Sequence, residues 1–268
     1  MGRLLRLIVY ALIGLGAFLV YAPDSLDRAT SGPVTPGRFE EAVLRLPVRA
    51  PMSEYHAPRG QFSTATFPLD GVERRWHWIP PDGAGPSPAI VLLHGSGRNG
   101  AAMLDMAKSL AAKGYFLIAP DSADPEGWSG AGDGAAFIDA VLQQAEAVHP
   151  IDRGRLFLIG HSAGAIHALW LGNRSGRLWQ GVAVHAAALS PREIVGQAEA
   201  PPVLIVVGDR DANFPVESVR ATAVALAEAG HDVRLEIVPG HDHWFYVIGP
   251  RFARHAEAFL RDAAGLAD

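Results

Sequence analysis

Six short strand-like runs, most of them continuously apolar, dominate the second two thirds of this 268-residue chain: "AIVLLHG" (89–95), "YFLIAP" (115–120), "RLFLIG" (155–160), "GVAVHAAAL" (181–189), "PPVLIVVG" (201–208) and "VRLEIVPG" (233–240). A strand that is apolar on both faces must be covered on both faces, which is the mark of a parallel sheet clothed by helices. The stretches between supply those helices. Residues 101–114 place Leu104, Ala107, Leu110 and Ala111 at helical spacing and end at Gly114, a C′ cap. Residues 134–149, the segment after Ser162, residues 216–230 and residues 250–263 read the same way. Upstream, "STATFPLDGVERRWHWIPP" is two strand runs about Asp70-Gly71, a hairpin signal. The pattern predicts an α/β fold: a mostly parallel central sheet with helices on both faces, preceded by an antiparallel hairpin.

The net charge of −5, without a basic patch, argues against nucleic acid as a partner. The absence of cysteine excludes disulfides, thiolate metal sites and a cysteine nucleophile. The first 22 residues carry Arg3 and Arg6 and then run apolar to Ala22, which reads as a signal peptide or membrane anchor rather than part of the fold. As a helix, residues 4–22 would span roughly 28 Å at about 1.5 Å per residue, close to a bilayer core of about 30 Å. Pro23 follows the candidate cleavage site Val20-Tyr21-Ala22 and disfavours cutting there, so an uncut anchor is preferred. Either form places the rest of the chain outside the cytoplasm. Residues 23–60, rich in Pro, Gly, Arg and small polar residues, read as a linker with a short helix around Phe39–Leu44; residues 61–268 form the folded domain.

Chemistry enters at "GHSAG" (160–164), where Ser162 lies between the strand "RLFLI" and the helical run "AGAIHALWLG". A glycine-serine-glycine match is weak alone, but strand, sharp turn and helix in that order are what a nucleophile elbow requires. Gly160 and Gly164 allow the two elements to approach, and the Ala163 amide opens a helix N-terminus toward a developing oxyanion. A second donor is expected from "LLHGSGRNG" (92–100), with the Ser96 amide the candidate, Gly97 beside the substrate, and His94 holding the loop rather than acting as base. Acid candidates cluster in "VVGDRDANFP" (206–215): Asp209 caps the turn, while Asp211 lies further out, where it can reach a histidine on the next loop. In "PGHDHWFY" (239–246), His243 is preferred to His241 as base because it stands deeper in the loop and before three aromatic residues. A two-histidine metal site with Asp242 is the rival and lacks a third ligand cluster, so neither a metal nor a cofactor is expected. Trp128, on the long loop 119–133, is a candidate pocket wall; Asp133 reads as a helix cap, Asp121 as a brace, and His185 as a buried histidine with satisfied hydrogen bonds.

From about Asp70 onward, "DGVERRWHWIPP", "AIVLLHGSG", "FLIAPD", "IDRGRLFLIGHSAGA" and "VVGDRDANFP" resemble the α/β-hydrolase superfamily, and within it the group of polyhydroxybutyrate depolymerase-like and feruloyl esterase-like serine esterases. The resemblance implies a Ser162–Asp211–His243 triad, an acyl-enzyme intermediate and a carboxylic ester substrate. Asp211 stands four residues before Pro215, as the acid does in related carboxylesterases, and "DHWFY" is similar to the run around their catalytic histidine. The chain departs from the pattern in having Ala165 after Gly164 and no attached substrate-binding module. A small soluble ester is therefore the expected substrate. A serine peptidase or thioesterase would use the same machinery, and an inactive, membrane-tethered binding protein is the alternative outside enzymes.

Overall fold

In the computed structural model, the described residues are 33–48, 60–174 and 178–265; the apolar N-terminal segment lies outside them. Nine strands form one sheet: β1 (Phe39–Val43), β2 (Ser63–Leu69), β3 (Val72–Ile79), β4 (Ser87–Leu93), β5 (Phe116–Pro120), β6 (Ile151–His161), β7 (Gly181–His185), β8 (Val203–Gly208) and β9 (Val233–Val238). Their spatial order is β1-β9-β8-β7-β6-β4-β5-β3-β2. All pairs are parallel except β2–β3 and β3–β5. The hairpin turns at Asp70 and Gly71, both at positive φ (50° and 78°), the geometry of a two-residue turn whose twist matches the strands it joins.

The helices are α1 (Gly100–Ala107), the single turn α2 (Gly130–Asp133), α3 (Ala135–Glu146), α4 (Ala163–Gly172), α5 (Val216–Glu228) and α6 (Gly249–Ala263). They divide between the two faces of the sheet, and the strand side chains show how. Along β4, Ala89, Val91 and Leu93 pack with residues of α3, α4 and α5, while Ile90 and Leu92 pack with residues of α1 and α6. The alternation of a strand thus feeds two cores at once, and only a continuous apolar run can satisfy both. Each such fully buried aliphatic side chain stabilises the fold by about 1.5–3 kcal/mol.

Three expectations change. The segment around Phe39–Leu44 is not a helix but β1, paired in parallel with β9 at the far edge of the sheet, so the fold takes in part of the 23–60 stretch. Exposure along nearly the whole of this edge strand lets polar and apolar residues mix, and "FEEAV" reads as either element by pattern alone. The second change is at "GVAVHAAAL", whose strand stops at His185 because Ala186 turns to φ 58°. The helix from residue 101 also tightens into a 3-10 turn at Lys108–Lys113 before Gly114 closes it at φ 90°.

Candidate active site

Ser162 stands between β6 and α4 with φ 53° and ψ −120°. A non-glycine residue is held there only by its surroundings, and that strain lifts the side chain out of the sheet. The neighbours make the turn possible. A Cβ on Gly160 would lie 2.4 Å from the Gly164 carbonyl oxygen, and one on Gly164 would lie 2.3 Å from that of Leu93.

His243 follows β9 by five residues, on the loop 239–244. Its Nε2 is 3.0 Å from Ser162 Oγ and its Nδ1 is 2.8 Å from Asp211 Oδ2. A carboxylate only accepts hydrogen bonds. Nδ1 therefore carries the proton, and bare Nε2 accepts from the serine hydroxyl. Asp211, on the turn after β8, has a fully buried side chain, and its other oxygen accepts the amides of Asn213 and Phe214 at 2.9 Å each. Phe214 stacks on the His243 ring at 5.6 Å. Asp209 instead accepts the Gly240 amide at 2.7 Å and closes the turn, and Asp242 accepts the Trp244 amide. Both ring nitrogens of His243 are engaged and His241 turns toward His185, so the pair shares no common ligand position.

The other expected residues separate. Ala163 is the first residue of α4, where an amide has no partner within the helix. The loop 94–99 runs beside the elbow: a Cβ on Gly95 would come 3.3 Å from Ser162 Cβ. The Gly97 amide donates to Pro125 O at 2.8 Å, while none of the loop hydrogen bonds among the described residues engages the Ser96 amide. Gly97 lines a cavity of about 690 Å³ with Arg98, Asn99, Arg75, Asp121 and Glu126. His94 holds the loop as expected: Nε2 accepts the Ser122 amide at 3.1 Å, and Nδ1 donates to Gly95 O. Burial pushes its pKa down, which keeps that acceptor bare. Asp121 braces both sides, accepting from the Gly100 amide at 2.8 Å and from His77 at 3.1 Å; burial opposes its charge, but these hydrogen bonds prevail and hold its pKa low.

Trp128 is not a pocket wall. It is buried in the core, stacks on His167 at 5.2 Å, and donates Nε1–H to His94 O at 2.8 Å. Asp133 is not a cap of the following helix either. It is buried in an ion pair with Arg74 at 2.5 Å and accepts the amides of Ala123 and Ser129. Arg74 also lies 3.5 Å over the Phe137 ring. Pairing across 59 residues leaves no local pattern to read. His185 is buried as expected, but its partners are two further histidines, His161 and His241.

A sheet of this order and an elbow of this geometry point to one architecture, and the structural comparisons agree. The chain has the α/β-hydrolase fold. Residues 84–207 match the model of the serine aminopeptidase family S33, and residues 186–266 match that of the prolyl oligopeptidase family. Among solved structures, esterase PE8 is 25% identical, with a TM-score of 0.58 over 69% of this chain and 97% of that one. A fluorophosphonate-binding serine hydrolase of Staphylococcus aureus is 14% identical, with a TM-score of 0.62 over 75% of this chain and 98% of that one. A putative dipeptidyl aminopeptidase IV of Bacteroides ovatus is 15% identical, with a TM-score of 0.60 over 76% of this chain but 36% of that one. No curated protein matches in sequence. This α/β-hydrolase-fold chain is thus similar to esterases and peptidases alike.

Proposed function

We propose that this protein is a serine hydrolase that cleaves small carboxylic esters through an acyl-enzyme. The observation that carries the reading is the unbroken line Ser162 Oγ–His243–Asp211 with hydrogen bonds of 3.0 and 2.8 Å. In the first step His243 Nε2 takes the Ser162 proton as Oγ attacks the acyl carbon; the imidazolium then passes that proton to the departing alcohol. Water repeats the sequence to release the acid. Asp211 holds the tautomer and stabilises the imidazolium. The amides of Ala163 and Ser96 receive the oxyanion, and a preorganised donor of this kind is worth about 10²–10³ in kcat.

The similarity to esterase PE8, 25% identical over 69% of this chain and 97% of that one, supports the ester reading; a peptidase on the same machinery is the second reading, favoured by the matches to the serine aminopeptidase and prolyl oligopeptidase models. The sequence motifs resemble the depolymerase-like and feruloyl esterase-like group, and within that resemblance the substrate proposed is a small soluble ester rather than a polymer. Arg3 and Arg6 ahead of the apolar segment support an extracytoplasmic place for the domain, anchored through that segment if it is uncut.

The test is a fluorophosphonate probe with p-nitrophenyl esters of increasing chain length and p-nitroanilide peptides. Labelling of the wild type, loss of labelling in Ser162→Ala and ester turnover above anilide turnover are expected. A protein that stays labelled in Ser162→Ala, or one that prefers the anilides, refutes the corresponding part.

A further inference from the structure

Three histidines beneath the candidate triad have no place in the chemistry just described. His161 ends β6 directly before Ser162, His185 ends β7, and His241 stands two residues before His243. His161 Nδ1 is 3.0 Å from His185 Nδ1, and His185 Nε2 is 3.0 Å from His241 Nε2. All three are almost fully buried. The chain of rings therefore ties together the carboxyl ends of three strands and ends on both triad loops. His161 also stacks on Phe245 at 4.6 Å and lies 5.2 Å from the His243 ring. The backbone adds to the tie: the Ser162 amide donates to His185 O at 3.0 Å, and the Arg210 amide donates to His241 O at 2.9 Å.

We propose that His161, His185 and His241 are positioning residues: a neutral imidazole relay that fixes Ser162 and His243 relative to each other. This rests on the triad reading above. The hydrogen bonds dictate the relay's internal order. Each N···N contact needs one donor and one acceptor, and a neutral imidazole has one of each. His185 must donate on one side and accept on the other. If His161 donates from Nδ1, His185 donates from Nε2 and His241 carries its proton on Nδ1. If His241 donates from Nε2, His185 donates from Nδ1 and His161 carries its proton on Nε2. In both arrangements the outer two histidines share a tautomer and the central one has the other. Burial pushes the pKa of all three down, which keeps the relay uncharged.

The test uses the full-length protein in two arms. In the first, long-range proton–nitrogen correlation of ¹⁵N-histidine-labelled protein at neutral pH reads each tautomer, in the wild type and in Ser162→Ala. His161 and His241 in one tautomer and His185 in the other, unchanged in Ser162→Ala, is the expected pattern. Three equal tautomers, or a cationic member, overturn the relay. In the second arm, His241→Leu should lower kcat for p-nitrophenyl acetate by between about tenfold and 10²-fold, the scale of a small misplacement of reacting groups, with KM within about twofold. His241→Gln, whose amide can donate to or accept from His185 Nε2, should restore most of kcat. An unchanged kcat in His241→Leu, or no rescue by Gln, overturns the positioning role. If His241→Leu does not fold, the tautomer pattern still decides the relay. If the wild type lacks esterase activity, the triad reading fails while the tautomer arm stands.

Discussion

The two walls of the candidate site are held up by different chemistry. The triad wall, at the carboxyl ends of β6 to β9, is supported by neutral imidazoles and by backbone amides that converge on Asp211. The loop wall, residues 94–134, leans on charge: the buried Arg74–Asp133 pair ties β3 to the end of α2, and Asp121 joins His77 to the start of α1. His94 is its neutral member. The contrast fits the work proposed for each. Beyond the Asp211 carboxylate that the triad itself uses, a further formal charge beside Ser162 and His243 would shift the balance of every proton transfer, whereas charges behind the loop can fix backbone without entering the reaction.

The largest effect should come from the acid. Asp211→Asn keeps the shape of the triad wall but favours the wrong tautomer of His243, and kcat for p-nitrophenyl esters should fall by about 10⁴-fold. Asp209→Asn, which loses a bond to the Gly240 amide, should cost less than about tenfold. A larger loss at Asp209 would place the catalytic carboxylate on the wrong side of the turn.

Acid should act on the buried imidazoles, His94 of the loop wall among them, before it reaches the carboxylates. For His161, His185 and His241 the folded pKa lies below the unfolded value of 6.5, chiefly through burial. The unfolded chain then binds protons that the folded one refuses, so stability is full above about pH 6.5 and declines as pH falls toward the folded pKa. Each such group forfeits about 1.4 kcal/mol per pH unit in that window. His231, lowered to about 4 by burial, adds to the same slope. Asp121 behaves oppositely in range: its folded pKa is lowered from 3.8, so its contribution is complete above about pH 4 and is lost as pH falls through the folded value. Thermal unfolding of the wild type should therefore weaken between pH 7 and pH 5. Asp121→Asn should lower Tm by a similar amount at both values and leave that slope intact. A flattened slope in Asp121→Asn would mean that the charged wall, not the imidazoles, sets acid sensitivity.

Next in size is the buried pair. Asp133→Ala leaves the Arg74 guanidinium uncompensated inside the protein, which typically costs about 3–5 kcal/mol. Chemical denaturation should show that loss, and the p-nitrophenyl ester KM should rise with it because Asp133 also accepts the amides of Ala123 and Ser129 behind the loop. A double change of Arg74 and Asp133 to apolar residues that recovers stability would show that the cost lies in the orphaned charge.

The two walls also differ in how far the sequence reveals them. Ser162, Asp211 and His243 stand at strand ends in a fixed chain order, so motif and topology together locate them before any coordinates. Their supports are another matter. The role of Asp133 depends on Arg74, 59 residues away on a different element, and nothing in "GAGDGAAF" announces it. His185 reads as buried, yet only the register of β6, β7 and β9 brings His161 and His241 to its two nitrogens. The core strands were legible because two-sided burial forces a continuous apolar run. The edge strand β1 was not, because an edge strand with exposed Phe39 and Val43 carries no such signature.

Trp128 carries the smallest expected effect and the sharpest distinction between a wall and a support. As a pocket wall it would set substrate size; as found, it lies behind the loop, with its indole N–H on His94 O and its ring against those of His94 and His167. Trp128→Phe keeps an aromatic ring and removes the donor. The lost hydrogen bond leaves a buried carbonyl without this partner, a change of about 1 kcal/mol. Because that carbonyl is two residues from the Ser96 amide, the loop should loosen slightly and kcat fall by a few-fold at every acyl length. The chain-length profile of kcat/KM for p-nitrophenyl acetate, butyrate and octanoate should keep its shape. A profile that tilts toward longer esters would return Trp128 to the pocket, whereas a uniform fall would assign it to the frame of the loop wall.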